Sequence, residues 1–467
     1  MSKKDSRGLA TSTSDAAALE CYERAAMLTH GYFGNPIAVI DEALAAQPDF
    51  ALGHCLKAAI AVMSSERAAL PMLRDSVEAI ERLGSGATDR ERAHAAAGRA
   101  WLEGDFARSV RLYGEIALEH PLDLLALQTA HVGDFYLGES TMLRDRIAQA
   151  LPCWSPEVPG FGFVLGMYAF GLEETALYSR AEDAGRRALD LNPRDPWAVH
   201  AVAHVLEMQG RIREGIDWLN STSGDWAGDC GFAYHNWWHL ALHHLELDEH
   251  ERALELYDQA IHPRSTQVAL ELVDASALLW RLALRGVDVG DRWKQVADDW
   301  SQTAEGGFYA FNDVHGVMAY AATGRDADVA RVVDILARRA GESDTNGMMS
   351  RNVGLPLARA IAALSQGDAA AAVECIVPMR TRAHRFGGSH AQRDIVHLTL
   401  LEAAHRAGRV RLERALASER TELKPTSPFN WKLTARALEA AGEAQAARTT
   451  LEHAAVRRRA QQRSAAA

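Results

Sequence analysis

Cysteine is scarce in this chain of 467 residues. There are five, at Cys21, Cys55, Cys153, Cys230 and Cys375, with no CxxC pair among them. That excludes a zinc ribbon and a thioredoxin-type redox site, and an odd, dispersed set fits reduced thiols in a cytoplasm. Proline is scarce too, 14 residues, and β-branched residues are sparse beside Ala and Leu, which favours helix nearly throughout. No run of 18 apolar residues occurs, so no membrane span is expected. The opening MSKKDSRGLATSTSD carries charge without an apolar stretch and does not read as a secretory signal. Basic charge is in deficit: 50 Lys and Arg against 62 Asp and Glu give a formal net charge of −12. A general nucleic-acid binder would be basic, so neither nucleic acid nor membrane is expected as a partner. Motifs that fix a reaction are missing as well: H-E-x-x-H, the P-loop, the Rossmann glycine fingerprint and the G-x-S-x-G elbow.

What the chain does have is regular punctuation. Gly104, Gly138, Gly171 and Gly210, then Gly286, Gly324, Gly367, Gly408 and Gly442, each precede a new helical stretch at intervals of helical-hairpin length. Glycine there suits the left-handed C-cap of a first helix. Pro48, Pro121, Pro193 and Pro263 recur at about twice that interval and stop second helices. Two marks with one period predict an all-α fold, a tetratricopeptide-like solenoid of roughly ten to twelve hairpins with a concave polar pocket. The array is expected over residues 16–445. Residues 1–15 are expected to form a flexible tail, and 446–467 a helix end and frayed tail. Leu151 to Phe163, rich in Pro and Gly, is expected to be a loop over the groove.

Two histidine pairs then stand out. His200 and His204 lie in HAVAHVLEMQGR, His235 and His239 in HNWWHLALHHLEL, each pair spaced i, i+4 and so on one helix face. The pairs are offset by 35 residues, close to the period of the repeat. Aligning the closing turns gives 38 instead, which leaves room for a slip of one turn. Glu207 falls on the same face as His200 and His204. Neutral imidazole with carboxylate suits a divalent transition metal such as zinc, iron or copper. A pair of this spacing is also ordinary packing, and only the repeat register argues for more.

Other polar residues take similar positions in the repeat. His131 and Asp134 precede His200 by about two periods; Asp274 follows His239 by one; His315 sits on a later first helix. GGSHAQRD opens another, with Ser389 and Gln392 as a capping box and His390, Arg393 and Asp394 in the first turns. Curling of the array would let them line one pocket. The metal ligands are then His200, His204, His235 and His239. Glu207 is a ligand or its partner, and His390 with Asp394 form an acid/base pair.

The runs HAVAHVLEMQGR, HNWWHLAL, LLWRL, FNDVHGVMA and GGSHAQRD resemble the tetratricopeptide repeat protein 38 family over nearly the whole chain. The resemblance implies a helical-repeat fold of this length and no established reaction. Three readings stay open: a metal-dependent hydrolase-type enzyme acting on a small molecule, a scaffold for a protein or peptide partner without catalysis, and a metal-free enzyme with His as general base.

Overall fold

The computed structural model describes residues 3–303 and 306–463. Among them all extended regular structure is helical, and β-pairing is confined to isolated bridges, Lys4 with Ala10 and Phe33 with Cys230. They form two compact units. The first runs up to Val202 and takes in 224–233 and 343–348; the second takes 203–223, 234–342 and 349 onward.

The first unit is a stack of antiparallel hairpins. First helices begin at Ala16, Ala51, Asp89, Leu124 and Phe161, a spacing of 35–38 residues. Side-chain caps start several: Asp15 accepts from Ala17 N and Ala18 N, Thr88 and Glu91 form a capping box, and Asp105 and Asp123 cap the next two. First and second helices differ in what they bury. Leu124–Leu137 is buried on every face, His131 and Asp134 included, whereas Tyr178–Leu191 buries only Ala181, Gly185 and Ala188. Polar residues on first helices are therefore taken out of water, which is where chemistry is concentrated.

The second unit repeats the pattern, with first helices Ala233–Glu246, Ala269–Leu284, Ala310–Ala322, Leu355–Ser365, His390–Arg406 and Pro428–Ala440. It closes on itself. The side-chain amide of Gln461, near the end of helix Ala444–Arg463, donates to the carbonyl of Gly210, and its oxygen accepts from Ile212 N at 3.2 Å. Lys432 and Arg458 both pair with Asp248. A stack that returns to its own start brings first helices that are far apart in sequence around one interior.

Several expectations change. Gly171 is not a turn but lies inside helix Phe161–Glu173, where a Cβ would come within 2.4 Å of the Leu143 carbonyl oxygen; it marks a close helix approach, and the turn falls at Ala176, with φ 61°. The other predicted turn glycines, Gly104 and Gly138 among them, have the positive φ expected. Residues 3–15 bond later parts of the first unit, Thr13 to Gln47 among them. Thr11 and Thr13 are buried, Ser12 N donates to Glu91, and Arg90 pairs with Asp5. The loop after Leu151 is pinned in the first unit by Trp154, whose indole donates to the Pro121 carbonyl at 2.8 Å. The C-terminal helix keeps its bonds as far as Gln461; of the tail expected to fray, 464–467 lie outside the described residues.

Candidate functional site

Helix Pro196–Met208 contributes His204 and, one turn on, Glu207; helix Ala233–Glu246 contributes His235 and His239. The 35-residue register brings equivalent positions together: the rings of His204 and His239 have centroids 4.3 Å apart. His235 and His239, one turn apart on their own helix, stand edge to face at 4.9 Å. One ring nitrogen from each of His204, His235 and His239 lies within 4.8 Å of the others. Tetrahedral ligation with bonds of about 2.0–2.1 Å would need those nitrogens about 3.4 Å apart, a small contraction.

The surroundings orient these rings. Nδ1 of His235 donates to Asp274 at 2.6 Å, and the ring stacks on Trp238 at 5.4 Å. Nδ1 of His239 faces Glu207 at 3.8 Å, and Trp238 packs edge-on against the same ring. His390, first residue of helix His390–Arg406, meets His204 edge to face at 5.1 Å. Its helix begins with the expected Ser389–Gln392 capping box, which fixes where His390 stands.

Burial sets the protonation. His239 is pushed down to about 3 by burial, with Glu207 opposing, and His204 is driven well below the ordinary histidine value by burial and then by His239 and His390. Both imidazoles are neutral at pH 7, the form that ligates a metal. Glu207 behaves oppositely. Burial resists its ionisation, but Lys424, then His239 and His204, outweigh it and hold the carboxyl well below its usual range. Lys424 Nζ donates to Oε1 of Glu207 at 2.6 Å, so Glu207 touches a cation with one oxygen and faces a neutral imidazole with the other.

Asp394, Arg393, His315, His131 and Asp134 have other partners. Asp394 does not pair with His390 as an acid/base couple. Both its oxygens are held by Arg420, and its carboxyl is kept well below the ordinary range: burial opposes ionisation, but Arg420 first and Lys424 next outweigh it. It carries fixed charge instead of relaying protons. Arg393 donates to the Gly388 carbonyl at the start of its own helix. His315 donates through Nδ1 to the Phe311 carbonyl at 2.8 Å and packs at a tilt against the Phe311 ring, a helix-internal arrangement. His131, Asp134 and His200 belong to the first unit. There Asp134 is held by Arg146 at 2.7 Å, His131 packs edge-on against Phe170 and Trp197, and His200 is walled by Phe170, Trp197 and Phe232. His200 remains one turn before His204 on the same helix.

Sequence reasoning missed the cations. Arg281, Arg285, Arg420 and Lys424 line a small cavity beside Glu207 and Asp394. Arg281 and Arg285 sit one turn apart in WRLALR, a spacing as visible as that of the histidines; nothing local marks Arg420 or Lys424. His243, a turn beyond His239, is also fully buried and pushed down to about 4, chiefly by burial.

No protein-family model matches the chain. Among solved structures, a human IFIT1 dimer with m7Gppp-AAAA aligns over 94% of this chain and 94% of that one at 10% identity, with a TM-score of 0.36. The TPR domain of P58(IPK) aligns over 80% of this chain and 99% of that one at 12% identity and a TM-score of 0.22. Naa15/Naa10 bound to HypK-THB aligns over 79% of this chain and 64% of that one at 12% identity and a TM-score of 0.23. The m7Gppp-AAAA of the IFIT1 structure is a property of that protein.

Proposed function

We propose that the second unit holds a transition metal on His204, His235 and His239 and uses it in hydrolytic or related chemistry on a small molecule. One observation carries the reading: the 2.6 Å bond from His235 to Asp274, beside two further imidazoles that burial keeps neutral. A carboxylate on the far nitrogen of a histidine is the usual support of a metal ligand. Among zinc, iron and copper, an all-imidazole set favours none decisively. Bound metal supplies a water of lowered pKa. Glu207 orients His239 and adds negative charge beside the ion. His390 is the group placed to exchange a proton with a bound molecule. The motifs that carry the histidines also place the chain, in our reading, with the tetratricopeptide repeat protein 38 family, and the thiols fit a cytoplasmic setting.

A second reading follows from the hairpin array itself, which commonly serves as a scaffold for protein partners. Elemental analysis of the purified chain separates the two. Stoichiometric metal in the wild type, lost in His239→Ala and His235→Ala with helicity unchanged, is expected. Metal-free protein from cells grown with added zinc, iron and copper would sink the metal reading and leave the scaffold.

A further inference from the structure

The cavity beside Glu207 holds more positive charge than its own carboxylates neutralise. Two of its cations are spent: Lys424 on Glu207 at 2.6 Å and Arg420 on both oxygens of Asp394. Glu246, the remaining carboxylate of the wall, accepts from the Ser427 hydroxyl at 2.7 Å. Among the described residues, Arg281 and Arg285 have no carboxylate within ion-pairing distance. Arg281, 3% exposed, donates to the carbonyls of Ala277 and Ala391 and lies over the Trp238 ring at 5.2 Å. Arg285 donates to the Leu245 carbonyl at 2.9 Å, lies over the Phe429 ring at 3.5 Å, and its buried Nε has no hydrogen-bond partner.

Such an arrangement is expensive by itself. A guanidinium taken out of water is destabilised unless charge and hydrogen bonds are returned to it. Backbone carbonyls and aromatic faces return part. Burial accordingly pushes Arg281 and Arg285 down to about 10. Their placement at i and i+4 of helix Ala269–Leu284 puts both forks on one face, and the planar fork matches the two oxygens of a carboxylate or phosphate.

We propose that this cavity is an oxyanion site, in which Arg281 and Arg285 grip the carboxylate or phosphate of a small-molecule ligand while Arg420 and Lys424 hold the surrounding charge. Glu207 lines the cavity and also faces His239, so an anion seated there presents the rest of its molecule to the histidine group. That the ligand is the substrate rests on the metal reading above; that an anion binds does not.

The test is isothermal titration calorimetry on the full chain at low salt, with inorganic phosphate and with succinate as separate probes. Saturable binding of either at one site per chain, weakened tenfold or more in Arg285→Gln and more than twofold in Arg285→Lys, is the expected result. Binding of phosphate alone or succinate alone supports the site and identifies its anion. Neither probe binding, or binding unchanged in Arg285→Gln, overturns it. Arg285 is half-buried and its variants should fold; Arg281→Gln is added with its helicity checked. Metal analysis of the wild type separates the two readings: anion binding without stoichiometric metal keeps this site and removes only the ligand's role as substrate of a metal centre, and stoichiometric metal without anion binding does the reverse.

Discussion

Asp274 accepts a hydrogen bond of 2.6 Å from Nδ1 of His235, across two neighbouring first helices of the second unit. The bond fixes the proton on Nδ1 and leaves the lone pair on Nε2. Asp274→Asn keeps the size of the side chain and removes its charge. Metal affinity should fall roughly 10- to 100-fold, as for other supporting carboxylates. Competition against a chromophoric chelator measures it, and unchanged affinity would show that Asp274 only packs.

Glu207 and Lys424 form a buried ion pair, with side chains 9% and 16% exposed. Removing one partner strands the other. In chelator-treated protein, Lys424→Met should lower unfolding free energy by about 3–5 kcal/mol, and Glu207→Gln together with Lys424→Met should recover most of that. Denaturant titration of the wild type, both single variants and the double variant gives the coupling. Additive losses would mean the pair contributes no coupling.

Two glycines inside helices should respond oppositely to alanine. At Gly171 the new Cβ meets the Leu143 carbonyl oxygen at 2.4 Å and the Arg144 nitrogen at 2.5 Å, both backbone atoms that cannot step aside. Gly171→Ala should cost about 1–3 kcal/mol. At Gly224, in helix Ile212–Trp226, nothing lies within 4 Å, and Gly224→Ala should gain about 0.5–1 kcal/mol. Equal melting temperatures for the two variants would contradict the packing at Leu143.

Acid should destabilise the fold through its buried histidines. Burial pushes His30 and His315 down to about 4 and His131 to about 3. These rings are neutral in the folded chain and take up protons near 6.5 once unfolded. Their stabilisation is complete above pH 6.5 and is lost as pH falls toward the folded values. Each group costs about 1.4 kcal/mol per pH unit within that window. The melting temperature should drop between pH 6.5 and 5, and the drop should shrink in His131→Gln. A melting temperature flat across that range would be inconsistent with buried neutral histidines.

The repeat was legible because it is local. A hairpin needs a Gly or an αL residue at its turn and a cap at its next start, and those residues recur in sequence whatever the rest of the molecule does. The same locality made the pairing of His204 with His239 readable, since equivalent positions of adjacent hairpins face each other. It also misled at Gly171, where glycine serves a helix contact with Leu143 that no turn rule foresees, and it gave no sign that Ser12 N bonds Glu91 and Thr13 bonds Gln47.

By itself the sequence determined the helices, the hairpin period and which histidines share a face, because backbone propensity, capping and the 3.6-residue turn act within a few tens of residues. Tertiary structure alone decided that Asp394 answers to Arg420, that Glu207 is held by Lys424, and that, among the described residues, Arg281 and Arg285 have no carboxylate opposite them. The Glu207–Lys424 pair joins residues 217 apart, part of the closure that also ties Gln461 back to Gly210. That closure buries charges contributed from opposite ends of the unit, and the cost of leaving them unpaired is set only once they meet.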